Sequence, residues 1–260
     1  MIKILLIGCN GRMGQAITSA AKTRDNVRII AGIDVQTSEQ AYPVYTCFDD
    51  VKEKIDVIID FSHHSGSKKA MEFATAKQLP IVMATTGLNE EQTAFLVECS
   101  KKTAVLRSAN MSLGVNLMID LVQRAAKALY QNYDIELIEK HHNQKLDSPS
   151  GTAIAIAEAM NTAIASTSPV FSSGKTTMEY VNGREGTQTK RTDHEIGIHA
   201  VRGGTIAGEH TVLFAGKDEL LEIKHTALSR SIFAEGALTA AIYISDKKPG
   251  FYGMKDIFAD

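Results

Sequence analysis

The chain has 260 residues, and 28 Lys plus Arg against 30 Asp plus Glu give a net charge of −2. That length supports two modest domains or one large one, and the balanced charge, with no basic block, argues against a general nucleic-acid or membrane-surface binder. Cys9, Cys47 and Cys99 are too few and too scattered for a disulfide framework or a zinc pattern, no apolar run approaches a membrane span, and Met1 leads straight into a strand-like run without the parts of a signal peptide; a reducing, cytoplasmic setting is expected.

In chain order, apolar runs at Ile2 to Ile7, Val27 to Ile33, Ile55 to Ile59, Ile81 to Met83 and Ala104 to Leu106 read as buried parallel strands. Helical spacing at Met13 to Lys22, Ser65 to Lys77 and Asn89 to Lys101 alternates with them. The order predicts an α/β chain whose N-terminal part is a Rossmann-like, doubly wound parallel sheet. From about Leu113 the pattern changes to a long helix (Val115 to Tyr130), a strand (Ile135 to Glu139), a polar loop, another helix and a Ser/Thr/Gly-rich stretch. Strand-like runs follow at Glu195 to Ala200, Thr205 to Phe214 and Leu220 to His225, with turn signals at Arg202-Gly203-Gly204 and Gly216-Lys217-Asp218. A second α+β domain with a mixed or antiparallel sheet is expected over residues 113–229. Residues 1–112 form the dinucleotide-binding domain, completed by 230–260, whose apolar helix Phe233 to Ile244 packs back onto it.

Gly8-Cys9-Asn10-Gly11-Arg12-Met13-Gly14 directly follows the first strand. It departs from G-x-G-x-x-G, with Asn10 at the second glycine's place, but it has a strand before it, a helix after it, and Asp34 twenty residues past Gly14 to accept from a ribose hydroxyl. The competing reading is a glycine turn that only joins strand to helix. Arg12 can serve a phosphate or snorkel at the surface. Val35 and Gln36 bring no cation to Asp34, so an adenosine 2'-phosphate would meet a bare carboxylate, and NADH is expected to be preferred with NADPH tolerated. Later strands end at Asp60-Phe61-Ser62-His63-His64, Ala84-Thr85-Thr86-Gly87 and Ser108-Ala109-Asn110-Met111, where a dinucleotide would lie. The hydroxyls and amide there equally suit turns and caps, and His63 and His64 read first as solvent-facing loop histidines.

The segment His141-His142-Asn143-Gln144-Lys145-Leu146-Asp147-Ser148-Pro149-Ser150-Gly151-Thr152 gathers two imidazoles, an ammonium and a helix start. These groups donate protons and bind anions, which suits a substrate that carries carboxylates and is protonated during reaction. Asp147, Ser148 and Pro149 have the composition of a helix N-terminus. The N–H groups of Ser150, Gly151 and Thr152 would then stand unpaired as an anion seat, with Gly151 keeping the approach open. An extended chain points His141 and His142 to opposite sides with no third imidazole nearby, so no metal is expected. His194, His199, His210 and His225 lie on strand-like stretches and read as structural or interfacial.

With these motifs in view, the chain resembles the 4-hydroxy-tetrahydrodipicolinate (dihydrodipicolinate) reductases along nearly its whole length. The matching segments are Gly8 to Gly14, Asp60-Phe61-Ser62, Thr85-Thr86-Gly87, Ala109 to Asn116, Glu139 to Thr152, Gly208-Glu209-His210-Thr211 and Ser229 to Ala237. The segment around the paired histidines is highly specific and the glycine loop is not. The resemblance implies NAD(P)H-dependent reduction of a cyclic dicarboxylate to tetrahydrodipicolinate, the 4-hydroxyl leaving as water, on the diaminopimelate route to lysine. It assigns the acid chemistry to His141 and Lys145 and substrate binding to His142, Lys145, Ser150, Gly151 and Thr152. It implies nucleotide contacts at Gly8, Cys9, Asn10, Gly11, Arg12, Met13, Asp34, Ala84, Thr85, Thr86, Ser108, Ala109, Asn110 and Met111, a homotetramer, and motion between domains. Ala84, Val35 and the pair His63-His64 depart from the family pattern, all on the cofactor side. The alternatives are another NAD-dependent dehydrogenase of this architecture acting on an amino acid or sugar, and a non-catalytic dinucleotide sensor; the donor segment argues against the sensor.

Overall fold

The computed structural model describes residues 1–187 and 190–258 and divides into two compact units, residues 1–113 with the chain from Arg230 onward, and Gly114–Ser229. In the first, strands and helices alternate as β1 (Ile2–Ile7), α1 (Arg12–Ala21), β2 (Val27–Ile33), β3 (Val44–Tyr45), β4 (Val57–Asp60), α2 (Ser67–Lys77), β5 (Ile81–Met83), α3 (Glu90–Ser100) and β6 (Ala104–Arg107). The helix α4 (Leu113–Leu129) leads into β7 (Asp134–His141), α5 (Gly151–Ala165), β8 (Glu179–Asn182), β9 (Glu195–Arg202), β10 (Gly208–Ala215) and β11 (Leu220–Ala227). The chain then returns to the first unit as α6 (Ser231–Ile244) and β12 (Gly250–Tyr252).

The first sheet is parallel throughout, in the order β12-β6-β5-β4-β1-β2-β3. Its strands are continuous apolar runs because both faces are covered. Along β1, Ile4 and Leu6 join the core under α1 and α6, while Leu5 and Ile7 join the core under α2 and α3. The last helix, α6, packs into the core of this unit through Ala234, Ala237, Leu238 and Ala241. Strand order reverses at β1 and β4, so their C-terminal ends border the crevice where such sheets bind ligands. The two-residue β3 and three-residue β12 are too short to leave a periodic signal in the sequence.

The second sheet runs β11-β10-β7-β9-β8 and is mixed: β7, β8 and β9 are parallel, and β10 is antiparallel to both β7 and β11. Met118 and Val122 of α4 and Ile156 and Met160 of α5 pack with Leu137, Ile196, Val212 and Phe214 of the strands. The buried face of β7 reads Ile135, Leu137, Glu139, His141, so this row begins in hydrocarbon and ends in two polar groups.

Two sequence expectations are corrected here. β7 extends to His141, which therefore belongs to the strand, and the loop begins at His142. α5 begins at Gly151 with Ser150 as its cap, whose Oγ accepts the Ala153 N–H at 3.2 Å. Asp147 is not the cap and Pro149 precedes the helix, because the Lys145 ammonium holds the Asp147 carboxylate at 2.9 Å.

A Cβ at Gly236 of α6 would stand 1.7 Å from the Met111 carbonyl oxygen, a backbone atom, whereas one at Gly151 meets nothing within 4 Å. Gly236→Ala is expected to cost about 2 kcal/mol or more of stability, and Gly151→Ala less than about 0.5 kcal/mol. Urea unfolding of the two variants checks this, and equal midpoints would contradict it.

Candidate active site

The crevice of the first unit is built on a glycine turn. Gly8 has φ +79, which favours a residue without Cβ, and an added Cβ would lie 2.7 Å from the Phe61 carbonyl oxygen at the end of β4. Gly14 lets α1 start close to the turn, since a Cβ there would stand 2.3 Å from the Gly8 carbonyl oxygen. The α1 N-terminus has Gly11 at its cap, no side-chain cap and no acidic residue in its first turn. It therefore presents backbone N–H groups and positive dipole without an internal anion, which suits a pyrophosphate. A cleft of about 450 Å³ opens beside it, lined by Gly8, Gly11, Asp34, Val35, Phe61 and Lys69 among others.

Asp34 stands at the mouth of this cleft. Its carboxylate accepts the Asn10 N–H and the Val35 N–H, each at 2.8 Å. An ionised carboxylate has about four acceptor positions, so others are left for ribose hydroxyls. The glycine turn, the uncapped helix and this acid together fit a dinucleotide. The Cys9 side chain is turned into the core, where burial, and then the Asp34 charge, push its thiol up to about 11; only its backbone faces the turn. Arg12 and Thr86 are exposed, and Ala84 and Met111 are buried. Thr85 Oγ1 donates to the Ser62 carbonyl and so ties the ends of β5 and β4 together, while Ser108 Oγ donates to the Asn110 carbonyl within the turn after β6. His63 and His64 stack with ring centres 3.9 Å apart, and His63 Nδ1 accepts the Ser65 N–H as a local cap.

In the second unit the site grows from the polar end of β7. Glu139 is fully buried. Its Oε2 accepts from His141 Nδ1 at 2.6 Å and Arg202 Nη1 at 2.8 Å, and its Oε1 from Ser150 N–H at 3.0 Å and Arg202 Nη2 at 2.7 Å. Burial alone would raise its pKa; the Arg202 guanidinium, His141 and the Ser150 N–H outweigh it and hold the carboxyl below the ordinary glutamate value. His210 on β10 packs edge-on against the His141 ring at 5.2 Å and shares a 3.1 Å hydrogen bond with Ser150 Oγ. Lys145 and His142 are half-buried on the loop, and Asp147 is exposed. The structure thus brings His141, Ser150 and Lys145 into one neighbourhood around the start of α5, with Thr152 on its first turn.

One donor of the expected anion seat is already engaged, since the Ser150 N–H is bound to Glu139. The Asp147 carboxylate is paired with the Lys145 ammonium, which chiefly holds it below the usual aspartate value. The Lys145 ammonium and the Ser150 N–H are thus each held by a carboxylate of the chain itself.

Comparison with known proteins now bears directly on this arrangement. Residues 2–111 match the family model described as dihydrodipicolinate reductase, N-terminus, and residues 114–258 the model for its C-terminus. The chain belongs to the dihydrodipicolinate reductase family. It is 46% identical to the 4-hydroxy-tetrahydrodipicolinate reductase of Caldanaerobacter subterraneus subsp. tengcongensis, covering 99% of this chain and 98% of that one, and 44% identical to that of Clostridium tetani, over 98% and 96%. The solved dihydrodipicolinate reductase of Paenisporosarcina sp. TG-14, with dipicolinate bound, superposes with a TM-score of 0.81 at 26% identity, covering 99% of each chain. The reductase is therefore a nicotinamide-dependent oxidoreductase of lysine biosynthesis that reduces 4-hydroxy-tetrahydrodipicolinate to tetrahydrodipicolinate with loss of water. No helix among the described residues is long and apolar enough to cross a membrane.

Sequence reasoning gave no role to Glu139, and read Arg202 as a turn signal and His210 as a strand residue. The signal for the pair was available in part, since a glutamate and a histidine two apart on a strand share a face; their arginine comes from a neighbouring strand, sixty residues on, and only register reveals it. Burial, and then electrostatic interaction with His141, His225 and Lys145 against that with Glu139, push His210 down to about 4 from 6.5. Its folded pKa lies below its unfolded one, so between pH 6.5 and about 4 the unfolded chain binds the extra proton and stability falls as pH falls. From pH 7 to pH 5 the reductase should lose about 2 kcal/mol on this account. Urea unfolding should show the loss shrinking in His210→Gln, and an identical pH slope in that variant would sink the assignment.

Proposed function

We propose that Lys145 is the proton donor of the reduction and that His141 assists it, with His142, Lys145, Ser150, Gly151 and Thr152 holding the substrate. The observation that supports this is the Asp147 carboxylate held by the Lys145 ammonium at 2.9 Å, a contact that a substrate carboxylate can make in its place. The substrate displaces Asp147 and takes over the Lys145 ammonium. The dipicolinate carried by the Paenisporosarcina reductase is a ring with two such groups.

The nucleotide, when bound, supplies hydride to C4 of the unsaturated imine left once the 4-hydroxyl has gone as water. Electron density moves toward the ring nitrogen and the neighbouring carbon, and one proton must arrive to balance it. An ammonium beside the dicarboxylate meets that charge as it develops and then gives the proton. Lys145→Ala and His141→Ala are expected to lower kcat on the order of a hundredfold or more, with nucleotide Kd near wild type. An assay coupled to a dihydrodipicolinate synthase measures this, and wild-type turnover in both variants would refute the roles.

On the cofactor side the reading is that Gly8 to Met13, Asp34, Ala84, Thr85, Thr86 and Ser108 to Met111 contact the nucleotide, with NADH preferred and NADPH tolerated. Asp34 favours a ribose diol, and Val35 beside it carries no charge, but Lys69 lines the same cleft and offers a cation to a 2'-phosphate. We expect a higher kcat/KM for NADH, and a selective loss of NADPH affinity in Lys69→Ala. A large kcat/KM advantage for NADPH would overturn the preference.

A homotetramer and a cytoplasmic location belong to the same reading. The first is supported by the edge strand β11, which exposes Leu220 and Leu221, and sedimentation at monomer mass would exclude it. The second is supported by three unpaired cysteines, and export of the protein from its cell would exclude it.

A further inference from the structure

We propose that Glu139 is a positioning residue that fixes the ring of His141 and the start of α5 together, with Arg202 as the counterion that lets a carboxylate do so while buried. The proposal rests on the reading of His141 as part of the acid machinery and adds to it the residues that orient it.

The carboxylate is fully shared. Each oxygen takes one N–H of the Arg202 guanidinium and one further donor, His141 Nδ1 on one oxygen and the Ser150 N–H on the other. Strand register sets this up, because β7 pairs with β9 so that His141 stands opposite Arg202, and β10 places His210 opposite Glu139. A carboxylate at Nδ1 keeps a proton on that nitrogen, so in the neutral ring Nε2 holds the lone pair. Nε2 faces Gly208, where an added Cβ would lie 3.1 Å away, so the glycine leaves that side of the ring uncrowded.

Holding β9 to β7 does not require such a group, since well-packed apolar residues commonly replace buried ion pairs without loss. Glu136, three residues earlier on the same strand, shows the contrast. It pairs with Arg184, Arg191 and His199 and has no bond to the loop or to α5. Among the described residues, Glu139 is the carboxylate that joins an arginine, the histidine and the helix cap through one group.

Two variants separate orientation from structure. Glu139→Gln leaves the half-buried Arg202 without its carboxylate partner and will be less stable, so it is paired with the double variant Glu139→Gln/Arg202→Met, which removes that unpaired charge. Imidazole ¹⁵N spectra of the full-length wild type should show His141 as the Nδ1–H tautomer when neutral, and a mixture in both variants. The double variant should regain most of its thermal stability, yet kcat should stay on the order of tenfold to a hundredfold below wild type, as when the carboxylate behind a functional histidine is lost, with nucleotide Kd unchanged. An unaltered tautomer, or a double variant with both stability and kcat restored, would overturn the proposal. If instead His141→Ala keeps wild-type kcat, the reading of His141 fails, and the tautomer signal still decides whether Glu139 sets the ring.

Discussion

A carboxylate with no access to water must find every partner inside the protein, and Glu139 forces that condition on the second unit. Its charge needs a cation, which Arg202 supplies from β9 with a bidentate pair. Its remaining lone pairs then select what is brought to them, the ring of His141 and the first backbone donor before α5. The loop between β7 and α5 is anchored at both ends by this one group, and Lys145 sits on the span between. Glu139 is costly to bury alone and stable once all four contacts are made, so the site is either assembled as a unit or not at all.

The two units use a helix N-terminus in opposite ways. α1 starts at a glycine with no capping side chain and no acid in its first turn, so its donors await an anion from outside. α5 is capped by Ser150, whose own N–H is taken by Glu139, and the Lys145 ammonium on the loop before it is held by Asp147. The first arrangement suits a permanent feature of every nucleotide, the pyrophosphate. The second suits a ligand that must enter, be transformed and leave, because its place is held in the interim by a group of the chain.

The parallel sheet was legible because burial on both faces leaves unbroken apolar runs, as in Ile4-Leu5-Leu6-Ile7, and the turn after it because Gly8 and Gly14 can be read from spacing alone. The identity of the donors around α5 was legible for the same reason of proximity in sequence. What escaped was their pairing. Asp147 looked like a cap because Asp before Ser-Pro has that composition, but Lys145, two residues away, competes for its carboxylate and wins, and Ser150 caps instead. Arg202 escaped because it meets Glu139 by strand register across sixty-three residues, and no local pattern encodes register between parallel neighbours. β3 and β12 escaped because two or three residues show no period.

That the carboxylate on β7 is fixed while the one on the loop is weakly held follows from their exposure. The Lys145–Asp147 pair leaves Asp147 58% exposed, and pairs in that setting contribute about 0–1 kcal/mol. A dicarboxylate that brings a second anion and a ring to bury can displace Asp147 at that small cost. Glu139 cannot be displaced in the same way, since it is fully buried and its removal would leave Arg202 without this counterion and His141 and the Ser150 N–H without their acceptor. The difference in burial between two acids eight residues apart thus separates a carboxylate fixed by four internal contacts from one held near the surface by an ion pair.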